Sequence, residues 1–298
     1  MKKILKIEDI QNILILGAGT LGLRVGLQAA ISGYKVNIYD TNQKQLDEAI
    51  KIQHKLAASF SKTGQFRNID FSSIIDGITF TTDAALAAKN ADIVNESVTE
   101  DITIKREVWQ QFGRLCPSST IFTTNTSFLL PSMFSEASGR PERFCAFHFH
   151  DVFVANVVDI MPNTATEEWV IEVLFDFGKK LNQTPIRVTK ESSGYVFNHI
   201  LMSALKAAVH LLANGVSTVE DIDRSWMGNF NMAVGPFGML DQIGLDTAWR
   251  IIKNQQTDES NQFASLLQTY MDKQELGVKS GKGFYAYPNP RYQQPDFL

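Results

Sequence analysis

The chain has 298 residues, of which 44% are hydrophobic and 20% are charged, and its formal net charge is −4. The length predicts two domains, and the composition is typical of a globular protein that folds in water. The negative net charge argues against a surface that binds nucleic acid.

The two cysteines, Cys116 and Cys145, are too few for a disulfide framework and lack the spacing of metal ligands. We therefore expect buried thiols and no metal site. The basic start of the chain is followed by Glu8 and Asp9 rather than by a long apolar run, so no signal peptide is expected. With no apolar stretch of about 18 residues, the sequence predicts no membrane partner and a cytoplasmic location.

The first predicted strand leads directly into a glycine-rich turn. Residues 13–16 are apolar, and residues 17–22 open a predicted helix over 20–32. In such a unit the first glycine permits a tight turn, the second lets the backbone approach a pyrophosphate, and the third lets helix and strand pack closely. The helix N-terminus attracts the anion through its unpaired N–H groups. We therefore expect these residues to bind a dinucleotide: Gly17, Ala18, Gly19, Thr20, Leu21 and Gly22.

Asp40 closes the second predicted strand, residues 36–40. An acid at this place accepts hydrogen bonds from the hydroxyls of the adenosine ribose, and it repels a 2′-phosphate. The sequence therefore predicts NAD, rather than NADP, as the cofactor.

The following residues alternate between helical and strand patterns. Further helices are predicted over residues 42–61, 84–89, 102–115 and 166–180. Further strands are predicted over residues 78–81, 91–96, 121–125, 144–148, 157–161 and 185–189. This alternation is typical of an α/β domain with a Rossmann-type doubly wound sheet and right-handed crossovers.

The pattern changes after residue 189. Residues 190–194 are small and polar, which suits a domain boundary. Beyond them the apolar residues follow helical spacing, and no convincing strand is found. We therefore predict a dinucleotide-binding domain over residues 1–189 and an all-α C-terminal domain over residues 190–298.

Hydride transfer to a nicotinamide needs a partner that takes up a proton, and histidine is the usual one. Of five histidines, His148 and His150 lie at the end of a predicted strand. Ligands bind at the carboxyl ends of parallel strands. Either residue is therefore a candidate, and the alternative is a hydrogen-bonded histidine at a strand edge with no chemical role.

Several motifs occur in one order along the chain. They are the glycine turn with Asp40, Glu-x-x-x-Glu-x-x-x-x-Lys over residues 96–105, Thr-Asn-Thr-Ser over 124–127, Arg-Phe-Cys-Ala-Phe-His-Phe over 143–149, Ser-Gly-Tyr-Val-Phe-Asn over 193–198, Gly-Pro-Phe-Gly-Met-Leu-Asp over 235–241 and Lys-Ser-Gly-Lys-Gly-Phe-Tyr over 279–285. With these motifs the chain resembles the L-3-hydroxyacyl-CoA dehydrogenase family along nearly its whole length.

The resemblance implies a catalytic group. His148 matches the family's general base, which takes the proton of the 3-hydroxyl while hydride leaves C3 for NAD. Ser127 and Asn198 match residues that hydrogen-bond the reacting oxygen. Asp159 stands where the family has a glutamate that orients the histidine, one methylene shorter and one residue nearer to it in sequence. A turn-forming aspartate is the alternative for this residue.

The resemblance also implies cofactor contacts by Glu100, Lys105 and Asn125. For Glu100 the alternative is a solvated charge at the start of a helix. The chain departs from the family's Phe-Phe-Asn-Pro after the catalytic histidine, since residues 149–152 read Phe-His-Asp-Val. An anionic Asp151, or a second histidine at position 150, could change the substrate pocket or the pH optimum.

The CoA group of an acyl-CoA carries phosphates that attract basic side chains. Four of these cluster in and after the helix over residues 42–61: Lys51, Lys55, Lys62 and Arg67. In the family this region contributes to CoA binding, while a solvated helix face is the alternative. The family also implies a homodimer through the helical domain and a role in fatty acid metabolism.

Three functions remain open. The first is an NAD-dependent L-3-hydroxyacyl-CoA dehydrogenase, the second is an NAD-dependent dehydrogenase of a free hydroxy acid or sugar acid, and the third is an NAD-binding protein without turnover. The candidate group of Ser127, His148 and Asn198 argues against the third.

Overall fold

The structure, a computed structural model, describes residues 4–63, 66, 69–253 and 257–298, without the side chains of residues 61–63. It divides into two compact units, Met1–Val196 and Phe197–Leu298. The polar segment after residue 189, where we place the domain boundary, belongs to the first unit. Ser193 and Tyr195 hold it there through hydrogen bonds from their hydroxyls to the carbonyls of Phe128 and Thr126.

The first unit contains an eight-stranded sheet among its described residues. Its strands are β1 (Asn12–Leu16), β2 (Lys35–Tyr39), β3 (Thr79–Thr81), β4 (Ile93–Glu96), β5 (Ile121–Thr124), β6 (Phe144–Phe149), β7 (Val157–Pro162) and β8 (Thr184–Arg187). In space they follow the order β3-β2-β1-β4-β5-β6-β7-β8. The chain reverses direction across the sheet at β1, which confirms the predicted doubly wound architecture.

Helices cover both faces of this sheet. They are α1 (Thr20–Ile31), α2 (Gln43–Thr63), α3 (Phe71–Asp76), α4 (Ala84–Ala88), α5 (Ile102–Leu115) and α6 (Glu168–Lys180). Along β1, Ile13 and Ile15 pack into one buried cluster, while Leu14 and Leu16 pack into another. A strand that is apolar at every position is buried on both faces, which is why its sequence shows no alternation. The helix α3, which has six residues, was not predicted from the sequence.

One pair of strands departs from the parallel arrangement. Strand β6 runs antiparallel to β7, and His148 lies directly opposite Asp159. Residues 150–156 connect the two strands, and so short a connection cannot make the crossover that parallel neighbours require. Two consecutive strands without a helix between them are what the sequence predicted here, but their antiparallel direction was not predicted.

The glycine turn between β1 and α1 leaves no room for side chains at two of its positions. Gly17 has a φ of +102°, and a Cβ there would lie 2.6 Å from the carbonyl oxygen of Ser97. A Cβ on Gly22 would lie 2.2 Å from the carbonyl oxygen of Gly17. The turn can therefore close tightly only with glycine at both positions.

The second unit is helical, as predicted. Its helices are α7 (Phe197–Ala213), α8 (Val219–Phe230), α9 (Pro236–Ile243), α10 (Leu245–Lys253) and α11 (Asp258–Met271). Two buried carboxylates hold the backbone of the motifs over residues 235–241 and 279–285. Asp223 accepts hydrogen bonds from the backbone of Phe237 and Gly238, and Asp241 accepts them from Phe284 and Tyr285. Among all described residues, no helix has both the length and the apolarity needed to cross a bilayer.

We predict that Gly22→Ala lowers the free energy of unfolding by about 1–3 kcal/mol, because the new methyl group overpacks a rigid backbone contact. Gly228→Ala is the matched control: it lies within α8, and nothing stands within 4 Å of its Cβ position. This control should gain about 0.5–1 kcal/mol from helix propensity. Urea unfolding measures both changes, and a Gly22→Ala protein as stable as the wild type would contradict the prediction.

Candidate active site

The glycine turn and Asp40 form one connected structure. The Asp40 carboxylate accepts hydrogen bonds from the backbone N–H groups of Ala18 and Asn42, each at 3.0 Å. A carboxylate has about four acceptor sites, and Asp40 is only half-buried, so it can also accept from ribose hydroxyls.

The turn leaves space for the phosphates of a dinucleotide. Gly19 is exposed, and no atom lies within 4 Å of its Cβ position. It is the N-cap of α1, whose first turn has no side-chain cap and no acidic residue. Thr20 and Leu21 begin this helix, so its free N–H groups face the open space above the turn. The residues present therefore fit NAD.

Lys105 is buried, with 1% of its surface exposed. Its Nζ lies 2.6 Å from Glu96 Oε1, 3.3 Å from Glu100 Oε2 and 3.4 Å from the carbonyl oxygen of Val98. These three acceptors match the three N–H bonds of an ammonium group. Lys105 thus holds the loop that follows β4 in place, because Val98 and Glu100 belong to this loop. The sequence prediction omitted Glu96, although the residue begins the Glu-x-x-x-Glu-x-x-x-x-Lys motif.

Asn125 connects the ends of three neighbouring strands. Its Oδ1 accepts a hydrogen bond from the Phe149 backbone at 2.8 Å, and its Nδ2 donates to Ser97 Oγ at 3.2 Å. Glu100, which is half exposed at its side chain, accepts a hydrogen bond from the Thr126 hydroxyl. Both residues shape the carboxyl edge of the sheet, where the cofactor contacts predicted for Glu100, Lys105 and Asn125 stay predictions.

Ser127, His148 and Asp159 come together at this edge. The cross-strand register brings the Asp159 Oδ2 atom within 3.5 Å of His148 Nδ1. The other nitrogen, Nε2, lies 3.2 Å from Ser127 Oγ. Asp159 therefore lies within a strand and not in a turn, and its role in orienting the imidazole stays a prediction. Asn198 is a half-buried residue of α7 in the second unit, and its predicted role stays a prediction.

His150 is a further member of this group. Residues i and i+2 of a strand point to the same face, and the His150 Nε2 atom lies 2.8 Å from Asp159 Oδ2. The two imidazoles and the carboxylate offer metal-binding atoms within 4.8 Å of one another. Their hydrogen bonds account for this arrangement without an ion, and the absence of a metal stays a prediction.

The surroundings of His148 favour its neutral form. Burial lowers the pKa of His148 from an ordinary value of 6.5, while the hydrogen bond to Asp159 partly opposes this shift. Burial raises the pKa of Asp159, but the hydrogen bonds from His148 and His150 outweigh it and hold that pKa below the usual range. Near neutral pH the group therefore combines a neutral imidazole with an ionised carboxylate.

Tyr195 stacks on the imidazole of His148. The two ring centroids are 4.6 Å apart, with an interplanar angle of 8°. The buried Tyr195 hydroxyl donates to the carbonyl oxygen of Thr126 at 2.7 Å. The residue lies within the motif over 193–198, but nothing in its spacing from His148 indicated the contact.

The negative charge of Asp151 is paired with a residue outside the imidazole group. Its carboxylate pairs with Arg24 of α1 and accepts hydrogen bonds from the backbone of Phe153 and Val154. The residue therefore stabilises the turn after β6 and neutralises Arg24. Between the two departures at positions 150 and 151, His150 is the one in contact with Asp159.

Comparisons with known proteins agree with this geometry. Residues 12–192 match the family model of the 3-hydroxyacyl-CoA dehydrogenase NAD binding domain, and residues 194–287 match that of the C-terminal domain. A probable 3-hydroxybutyryl-CoA dehydrogenase of Bacillus subtilis is 30% identical over 94% of this chain and 98% of its own length. The matching NAD binding domain confirms the predicted cofactor.

Two solved structures are similar over the whole fold. A diketoreductase, described as a dual catalyst of dicarbonyl compounds, has a TM-score of 0.86 and 36% identity, covering 93% of this chain and 99% of its own. An (S)-3-hydroxybutyryl-CoA dehydrogenase from Ralstonia eutropha has a TM-score of 0.85 and 26% identity, covering 94% and 99% respectively.

We predict that Lys105→Met lowers the free energy of unfolding by about 3–5 kcal/mol, because Glu96 is then left charged and buried without its partner. Adding Glu96→Gln to this variant removes the charge and should recover part of the loss. Urea unfolding of both single variants and the double variant measures the coupling. Equal losses in Lys105→Met and in the double variant would contradict a buried ion pair.

Proposed function

Because this chain belongs to the 3-hydroxyacyl-CoA dehydrogenase family, we propose that His148 is the general acid and base of its NAD-dependent oxidation of an L-3-hydroxyacyl-CoA to the 3-ketoacyl-CoA. The observation that carries the proposal is an imidazole held between Ser127 and Asp159, with Nδ1 toward the carboxylate. NAD supplies the acceptor for the hydride that leaves C3 of the substrate.

The orientation of the His148 ring determines which of its nitrogens accepts the proton. His148 Nδ1–H faces Asp159, so Nε2 carries the free lone pair and accepts the proton of the 3-hydroxyl. The imidazolium that forms is stabilised by the ionised carboxylate of Asp159, and in ketone reduction the same Nε2–H returns the proton to oxygen. Ser127 Oγ, close to Nε2, donates a hydrogen bond to the reacting oxygen, a role that we also propose for the amide of Asn198.

A contribution of α2 to CoA binding is part of the proposal. Lys51 and Lys55 are exposed on this helix, and within the described part of the chain Lys51 forms an i,i+3 surface pair with Glu48. Such a pair contributes little to stability, so a phosphate can compete for the ammonium group. The Lys62 side chain and Arg67, the other members of the predicted basic cluster, lie outside the described residues.

A second candidate function is reduction of a dicarbonyl compound that carries no CoA. The 36% identity with a diketoreductase over nearly the whole chain favours it. This function would use the same His148 chemistry with a smaller substrate, while the free hydroxy acid or sugar acid considered from the sequence stays a prediction.

We also propose a homodimer formed through the helical unit. Phe230 and Val216 expose 64% and 66% of their surface, and Leu211 lies beside them at the end of α7. Helices α7 and α8 line an open cavity of about 620 Å³ that includes Trp226. Apolar surface of this kind marks interfaces between proteins, and the family resemblance supports a second copy as the partner. The two buried free cysteines suit a reducing compartment such as the cytoplasm.

We predict that His148→Gln lowers kcat for acetoacetyl-CoA reduction at least about a hundredfold, because no other group supplies the proton at the same place. The dissociation constant of NADH should stay within about twofold, since the glycine turn is unchanged. His210→Gln, an exposed residue of α7, is the control and should retain kcat. Wild-type turnover in His148→Gln would contradict the assignment, and NADH binding by a wild type without turnover would favour a non-catalytic protein.

For substrate choice, we predict that the double variant with Lys51→Glu and Lys55→Glu has a KM for acetoacetyl-CoA about tenfold higher and an unchanged kcat. The loss of attraction to phosphate acts on binding and not on the chemical step. The KM of acetylacetone, a dicarbonyl compound without CoA, should not change. If only acetylacetone turns over in the wild type, the dicarbonyl function replaces the acyl-CoA function.

For assembly, we predict that Phe230→Glu converts a dimer into a monomer, because a charge is then buried in an apolar interface. The control is Leu86→Glu, a substitution of an exposed residue of α4, and it should not change the mass of the dimer. Sedimentation equilibrium measures both. A wild type that is monomeric at micromolar concentration rejects the dimer, and a dimeric Phe230→Glu protein rejects this face as its interface.

A further inference from the structure

The Asp159 carboxylate is shared unequally between two histidines. Its Oδ2 atom lies 2.8 Å from His150 Nε2 and 3.5 Å from His148 Nδ1. The shorter and stronger hydrogen bond therefore comes from the residue that the family resemblance assigns no role. Asp159 is 1% exposed, and within the described part of the chain these two imidazoles are the hydrogen-bond partners of its side chain.

The chemistry of Asp159 explains why a second donor is useful here. Aspartate reaches one methylene less far than the glutamate that the family has at this place. With His148 alone, its carboxylate would be held by one long contact of 3.5 Å, which is weak by the usual geometric standard. A short hydrogen bond from a second imidazole fixes the rotation of the carboxylate and favours its ionised form.

The position of His150 suits this role. It directly follows β6, two residues after His148, and the two rings meet edge to face with centroids 4.8 Å apart. Its side chain is 12% exposed, against 3% for His148. His150 thus approaches the carboxylate from the outer side and leaves the inner side to His148.

We propose that His150 is a positioning residue for the oxidoreduction: its Nε2–H holds the Asp159 carboxylate against Nδ1 of His148. The inference rests on the proposed role of His148 as general base. The Nε2 face of His148, where the substrate oxygen binds, is untouched by His150. Its removal therefore affects the rate of the proton transfer step and not the binding of substrate or cofactor.

The experiment compares His150→Phe, which retains an aromatic ring but no donor, with His150→Gln, which can retain an N–H directed at the carboxylate. With acetoacetyl-CoA and NADH, we expect His150→Phe to lower kcat about tenfold, the equivalent of one hydrogen bond to a charged group. Both KM values should stay within about twofold. His150→Gln should recover kcat to within about threefold of the wild type.

A second comparison tests whether His150 acts through the carboxylate. In an Asp159→Ala background, His150→Phe should cause no further loss of kcat, because the group that it holds is absent. Should His150→Phe fail to fold, His150→Asn takes its place, since its shorter amide does not reach the carboxylate. A full additional loss in the Asp159→Ala background would overturn the inference.

The outcomes separate this inference from the function on which it rests. If His148→Gln is as fast as the wild type, the proposed base is wrong. If His148→Gln is inactive while His150→Phe keeps the wild-type kcat, only the role of His150 is wrong. A His150→Gln variant as slow as His150→Phe also overturns it, because a restored donor should restore the rate.

Discussion

The cross-strand pair of His148 and Asp159 is the contact on which the proposed chemistry depends. An antiparallel register makes these residues direct neighbours on one face of the sheet. A shift of one residue would send one of the two side chains to the opposite face. The imidazole would then lose the carboxylate that orients it and lowers the cost of its protonation. The position of the reactive nitrogen is therefore set by the strand pairing of β6 and β7, two rigid elements of the core.

The remaining contacts bring other groups to this fixed point. Asn125 ties the end of β5 to the backbone of Phe149, next to His148, and Tyr195 stacks on the imidazole itself. The buried pair of Glu96 and Lys105 holds the loop that lies beside the glycine turn. The glycine turn and the proposed proton acceptor, His148, are thus joined through hydrogen bonds at the carboxyl ends of β1, β4, β5 and β6. Ligand sites of doubly wound sheets lie at this edge.

Much of the fold could be predicted from local sequence. Apolar runs indicated the buried strands, the Gly-x-Gly-x-x-Gly spacing indicated the turn, and the change to helical spacing indicated the second unit. The antiparallel direction of β7 was not predicted, because it depends on the pairing of β6 with β7 in space. The helix α3 was not predicted either.

Site residues that belong to a recognisable motif could be predicted from the sequence. Contacts between residues that are far apart in the sequence could not. His148, Ser127 and Asp159 came from the family resemblance, and the structure brings them together. Tyr195 stacks on His148, which lies far from it in the sequence, and Asp151 pairs with Arg24 near the start of the chain. No local pattern encodes such contacts. The hydrogen bond from His150 had a weak local signal, since His150 follows His148 by two residues at the end of β6, but its acceptor lies on another strand.

The central claim is that His148 is neutral near pH 7, with its proton on Nδ1 and a free lone pair on Nε2. Nitrogen-15 NMR of protein labelled at its histidines measures both properties, and the His148→Gln variant identifies the resonance. The account predicts a pKa for His148 below 6.5 and the tautomer with Nδ1–H directed at Asp159. A His148 that is protonated at pH 7, or that carries its proton on Nε2 when neutral, would contradict it.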